Sequence, residues 1–298
     1  MKRVSLVSLV VPAMFSVQAF ASILPPNNLH LEDNIFFAPN MTEQEFNTIS
    51  NSIIDQYKPL AALHGGTLSA NNRWTDATVN ASAEQKGSGW VVNMYGGLAR
   101  RPEVTPDGFA MVVCHELGHH FGGFAFYQRS GGDWAANEGQ ADYFATQSCA
   151  HKIWKAQTQV NATFRATVGA TEKAACDKAW NQDADQDLCY RTAAAGLSLG
   201  TLLGVLGNTG APSFGATDKS VVRKTNDAHP KAQCRLDTYL RGAQCPVAFD
   251  EKIIPGRNNP KGQKSKEAEL EAVKYSCSTM GELAEFARPT CWFKSQLK

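Results

Sequence analysis

The stretch that decides the fold opens at Thr105-Pro106-Asp107, runs through His115-Glu116-Leu117-Gly118-His119, and stops at Gly122-Gly123. Thr105 suits a helix N-cap, Pro106 fits the first helical position because no N–H is needed there, and Asp107 places an acid in the first turn. The paired glycines end the helix near Phe121. Within it His115 and His119 stand four residues apart, so both imidazoles leave one face about one turn apart. Two imidazoles so placed can share a single zinc ion, and Glu116 beside them can reach a water molecule there.

A two-histidine site needs a third protein ligand and an open fourth position. Glu138 follows His119 by nineteen residues, in Asn137-Glu138-Gly139-Gln140-Ala141-Asp142, inside a segment patterned as a helix from about Ala135 into the Trp154 region. Glu138 supplies the third ligand. Asp142 lies one turn further on the same face, where a carboxylate accepts the remaining ring N–H of a ligating histidine and fixes its tautomer.

In this order of ligands the chain resembles the gluzincin metalloproteases, and more closely the CaaX prenyl proteases with their soluble bacterial periplasmic relatives. That family follows HExxH with Glu-x-x-x-Asp, often with alanine before the Asp, as Ala141 stands here. It also carries a later His-Pro with Arg a few residues on, matched by His229-Pro230 and Arg235. The resemblance covers about residues 74–240. It implies an α+β, zincin-like metalloprotease fold, mostly helical with a small sheet beside the HExxH helix. It implies one Zn2+ per chain held by His115, His119 and Glu138, with Glu116 as the general base of peptide hydrolysis. His229 is then the donor at the substrate carbonyl oxygen, and Asp142 and Arg235 orient the ligands. The transmembrane helices of the prenyl proteases are missing, so isoprenylated membrane substrates are not implied, and eight cysteines depart from the family pattern. The alternative from a different class is a zinc-retaining binding or chaperone-like protein with little turnover; Glu116 argues against it, since a binding module needs no base.

Composition agrees with an exported globular protein. Over 298 residues there are 29 Lys+Arg against 28 Asp+Glu, a net charge of +1, which lacks the basic excess of a broad nucleic-acid binder. Peptide or protein is the expected partner, with no nucleic acid and no stable membrane insertion. Lys2-Arg3, the apolar Val4–Val17 and Ala19-Phe20-Ala21 read as a signal peptide over residues 1–21. The protease domain is expected over 22–250, and 251–298 as a linker with a small disulfide-stapled tail. The eight cysteines suit disulfides in the periplasm or outside the cell. Short loops suggest Cys176–Cys189, Cys234–Cys245 and Cys277–Cys291, leaving Cys114 with Cys149.

The remaining segments read more plainly. Residues 22–41 hold Pro- and Asn-rich turn signals and read as an irregular arm. Thr42 and Glu45 form a capping box ahead of Phe46, Ile49, Ile53, Tyr57 and Leu60 at helical spacing, with Pro59 ending or kinking that helix. Trp74–Ala83, a turn over 85–88 and Trp90–Tyr95 read as a hairpin. Trp90–Tyr95 can be an ordinary sheet strand or one that pairs with an extended peptide. Helical stretches follow near 163–179, 188–206 and 230–241. Gly196, Gly200 and Gly204 mark close packing in a soluble core rather than a membrane dimer. His120 points off the motif face, to solvent or into packing. His30, His64 and His151 lack ligand spacing. Asp183, Asp185 and Asp187 alternate like a calcium loop, but Leu188 and Ala194 stand where Gly and Glu belong, so a solvated acidic turn is expected.

Overall fold

Ala21–Ser22 (β1), at the edge of the expected leader, already forms a strand in the computed structural model, which describes residues 21–33, 40–128 and 133–297. The rest of the leader lies outside the described residues. The chain continues through α1 (Glu43–Leu63), β2 (Thr67–Arg73), β3 (Ala81–Lys86), β4 (Gly89–Tyr95) and the single turn α2 (Gly96–Ala99). Then come α3 (Pro106–Phe121) and α4 (Glu138–Phe144), the latter running on through a π-turn, Ala145–Cys149, into α5 (Ala150–Trp154). The remaining helices are α6 (Thr158–Thr163), α7 (Ala170–Ala179), α8 (Asp183–Leu206), α9 (Ala232–Gln244) and α10 (Lys266–Ala272). The architecture is α+β, with one small mixed sheet.

That sheet has the order β1-β3-β4-β2, with β3 antiparallel to both its neighbours and β2 parallel to β4. The expected hairpin is present as β3 and β4 with Gly87 in the turn at φ 59°, but its first strand is Ala81–Lys86 and not Trp74–Ala83. It leaves β4 no edge: the strand lies between β2 and β3, so Trp90–Tyr95 is not where an added peptide can pair. Sequence patterning misses β2 altogether, because Leu-Ser-Ala-Asn-Asn shows no apolar alternation. Its polar side chains are used against α1 instead, where Asn72 takes a hydrogen bond from Ser50 at 2.8 Å and donates to Asn47 and Asn51.

The capping box of Thr42 and Glu45 forms as expected, but α1 runs through Pro59 to Leu63, giving up one internal hydrogen bond. α3 is buried on every side from Gly108 to Phe121, the pattern of a central core helix. α1 covers it with Phe46 on Phe109 at 4.9 Å, and α8 covers another side. α8 is long and apolar enough to cross a membrane by composition, yet 67% of its apolar stretch is buried within the protein. Its glycine stripe is where α9 crosses: a methyl group on Gly196 would meet the Tyr239 Cβ at 2.8 Å. α8 begins at Asp183, so the acidic triplet is the first turn of a helix and not a loop; Asp183 and Asp187 pair with Arg165.

All eight cysteines are paired, as Cys114–Cys149, Cys176–Cys189, Cys234–Cys291 and Cys245–Cys277. The last two correct the pairing expected from short loops. Cys234 and Cys245 sit at opposite ends of α9, and eleven residues of helix span about 16 Å, far beyond disulfide reach. Four disulfides fit an oxidising compartment. The two bridges from α9 also bring the C-terminal segment in: Trp292 and Phe293 lie in the same core as α3, so residues 251–297 are packed against the rest and not appended to it.

Candidate metal centre

Two helices build the centre. Gly118 on α3 allows α4 to come so close that a Cβ there would lie 2.7 Å from both the Cα and the carbonyl oxygen of Ala141. On the far side of α4, Gly139 receives the Trp292 ring in the same manner. This approach sets Glu138 and Asp142 against His115 and His119, and the Cys114–Cys149 bridge ties the same pair of segments together. Asn137 caps α4 by accepting from the Gln140 amide, so Glu138 is the first residue of the helix.

The acceptor atoms then converge. The Nε2 atoms of His115 and His119 are 3.1 Å apart; Glu138 approaches His115 Nε2 at 3.3 Å and His119 Nε2 at 3.7 Å. Glu116 Oε2 stands 3.9 Å from His119 Nε2. Each histidine has its other nitrogen committed, His115 Nδ1 to Asp142 at 2.8 Å and His119 Nδ1 to the Ala136 carbonyl at 2.8 Å. Both Nδ1 atoms therefore donate, and the two Nε2 atoms face each other, each presenting a lone pair when its ring is neutral. Glu116 Oε2 and Glu138 Oε2 are buried without a hydrogen-bond partner. Lone pairs and orphaned carboxylate oxygens so arranged repel unless a cation lies among them. His115, Glu116 and His119 form a group that can hold a metal ion. The spacing also suits Glu138 as the third ligand, since bonds of ~2.0–2.1 Å in a tetrahedron place ligand atoms about 3.4 Å apart.

The surrounding charges are arranged to keep this set fixed. Arg235 grips Asp142 with two hydrogen bonds of 2.7 Å each, and Tyr127 donates to Glu138 Oε1. Burial alone would raise Glu138, but His229, His119 and His115 hold it well below the usual carboxylate range. Burial likewise opposes ionisation of Asp142, and Arg235 and His115 overcome it. Burial works against charge on His115, yet Asp142 outweighs it and carries the imidazole up to about 9. Burial takes His119 down to about 3 and pushes the Glu116 carboxyl up to about 8. A bound dication would favour the neutral imidazole and the ionised Glu116 together.

All seven residues expected from sequence meet here. His115, Glu116, His119, Glu138, Asp142 and Arg235 are completely buried, and only His229, 21% exposed at its side chain, touches solvent. His229 comes from the segment before α9, which starts at Ala232 and not at Pro230. Its Nε2 lies 3.5 Å from Glu138 Oε1. His120, by contrast, stacks between Trp90 and Trp134 with both nitrogens bonded to Gln85 and Val91. Sequence reading missed Tyr127, Asn80 and the stretch Ser22–Leu24, which all touch the centre or its cover; none belongs to a spacing motif. No family model, curated protein or solved structure matches the chain.

Proposed function

We propose that the protein is an exported zinc-dependent endopeptidase with a zincin-like fold, akin to the gluzincins and the soluble relatives of the CaaX prenyl proteases. The observation that carries this reading is the facing of two Nε2 atoms 3.1 Å apart, with the Glu138 carboxylate beside them and both Nδ1 atoms engaged elsewhere. When bound, zinc supplies Lewis-acid polarisation of a carbonyl and lowers the pKa of a coordinated water to about 7. Glu116 takes the proton of the attacking water and hands it to the leaving amine. His229 donates from Nε2 to the carbonyl oxygen as negative charge gathers there. Asp142, held by Arg235, keeps the His115 ring in the tautomer that exposes Nε2.

The test separates metal from chemistry. Purified protein should hold about one zinc per chain, and His115→Ala or Glu138→Ala should lose it on elemental analysis. Glu116→Gln should keep the zinc while peptide turnover falls by about 10²–10⁴. Undiminished turnover in that variant overturns the assignment of the base. A wild type that holds zinc but cleaves nothing in a broad peptide library favours the binding or chaperone-like alternative.

A further inference from the structure

The centre is closed by the chain itself. Residues 21–24 lie extended along the edge of β3, Ala21 opposite Ala83 and Ser22 opposite Ser82. From Ser22 onward side chains of the centre join the sheet partners, the Ile23 amide still reaching the Ala81 carbonyl at 3.4 Å. The Ser22 carbonyl accepts from His229 Nε2 at 2.7 Å, and the Ile23 amide donates to Glu116 Oε1 at 3.0 Å. The Ile23 carbonyl accepts from Arg235 at 2.5 Å. Asn80 then holds both polar groups of Leu24, accepting its N–H at 3.2 Å and donating to its carbonyl at 3.4 Å. Ile23 and Leu24 are buried in the main core.

On the zinc-peptidase reading above, we propose that this segment is the centre's own first substrate: the chain hydrolyses its Ser22–Ile23 bond and, once processed, begins at Ile23. The two ends of that one peptide bond meet two different functions. Its carbonyl faces the donor that would stabilise an oxyanion, and its nitrogen faces the carboxylate that would protonate a leaving amine. An edge strand with only a structural role needs nothing beyond sheet partners. Here three ionisable side chains of the centre serve two consecutive peptide units.

The step balances with water as the co-reactant. A water hydroxyl bonds to the Ser22 carbonyl carbon while Glu116 holds the released proton. The C–N bond breaks with its electron pair on the Ile23 nitrogen, which takes that proton, and the acid proton of the new Ser22 carboxyl passes to the amine, leaving a carboxylate at Ser22 and an ammonium at Ile23. Tethering supplies the bond at a high effective concentration, so the cut is first-order in protein. Among the described residues the upstream product is Ala21–Ser22, and its departure would free the β3 edge for other extended peptides. The occupant also states a preference: small residues before the bond, as Ala21-Ser22, and bulky aliphatic ones after it, as Ile23-Leu24.

Removal of the expected leader would cut at Ala21–Ser22, one residue earlier, so the exposed N-terminus tells the two events apart. The full chain is made by cell-free synthesis without membranes, under disulfide-forming conditions, and supplied with zinc chloride. Intact mass should show a species starting at Ile23, in a fraction independent of protein concentration. Glu116→Gln should stay uncut, or be cut about 10²–10⁴ times more slowly. In that variant, which keeps an acceptor oxygen, hydrogen exchange should find the Ile23 amide protected, with or without zinc. A quenched-fluorescence peptide containing Ala-Ser-Ile-Leu is digested in parallel. Cleavage of this peptide with Ser22–Ile23 left intact overturns the self-processing inference and spares the peptidase reading. No cleavage of either overturns both. An Ile23 start in Glu116→Gln at the wild-type rate, or a freely exchanging Ile23 amide, overturns the inference by itself.

Discussion

His119 and His120 are neighbours on α3, equally buried, and opposite in what surrounds them. His119 turns its Nε2 into a cluster of ionisable groups: His115, Glu138, Glu116 and, one contact further, Asp142 with Arg235. His120 sits in a neutral stack, 5.3 Å from Trp90 and 5.2 Å from Trp134, and each ring nitrogen has a neutral partner. Burial therefore does not distinguish them. Partner accounting does. A structural histidine satisfies both ring nitrogens within the fold, whereas His119 turns Nε2 toward His115 Nε2 at 3.1 Å, an arrangement that a bound cation would suit.

The widest separation should come from removing one ring at a time. His119→Ala should bring zinc from about one per chain to near zero, with peptide turnover at background, while a change at His120 leaves zinc content alone. Equal zinc loss from both positions would break the distinction, since it would make the stack part of the metal site. His229→Ala comes next. It removes a donor at the carbonyl oxygen and no ligand, so kcat should fall by about 10²–10³ with KM and zinc nearly unchanged. Near wild-type kcat would return His229 to a role in seating the segment before α9. Asp142→Asn is smaller again. The amide can still accept from His115 Nδ1, but it loses the charge that Arg235 balances, so zinc affinity should weaken about 10–100-fold by competition with a chelator.

These contrasts also show what could be read in advance. The centre was legible because its ligands lie on two helices, where spacing of four fixes the face and a cap fixes the start. Thr105 and Pro106 act as the sequence suggests, whereas the helix expected from about Ala135 starts only at Glu138, capped by Asn137. The approach of those helices depends on Gly118 against Ala141, which a lone glycine in a helix does not announce. β2 was illegible because Asn72 answers to α1 and Asn71 to Asn93 of β4, not to an apolar face. The pairing of Cys234 with Cys291 depends on the path of the C-terminal segment, which no local pattern encodes. The seating of Ser22–Ile23 is the clearest case. An irregular arm and a substrate-like strand look the same in sequence, because the partners that define the latter lie 93 and 207 residues away along the chain.

The smallest effect is expected at His120, and it sharpens the comparison most. Phenylalanine there keeps the aromatic stack between Trp90 and Trp134 but removes both ring nitrogens. Gln85 then loses its bond to Nδ1, and the Val91 carbonyl loses its bond to Nε2. Both partners are only half-buried, so water recovers part of the loss, and the penalty should fall at the low end of an unsatisfied pair, about 1–2 kcal/mol. For a domain of this size that corresponds to a fall in Tm of about 2–3 °C. Zinc content, kcat and KM on a peptide substrate should stay at wild-type values, because nothing in the stack touches the lone pairs of the centre. Calorimetry alongside elemental analysis reads both quantities on one sample. A His120→Phe protein that keeps its Tm but sheds zinc would reverse the assignment, making the stacked ring the one that answers to the metal.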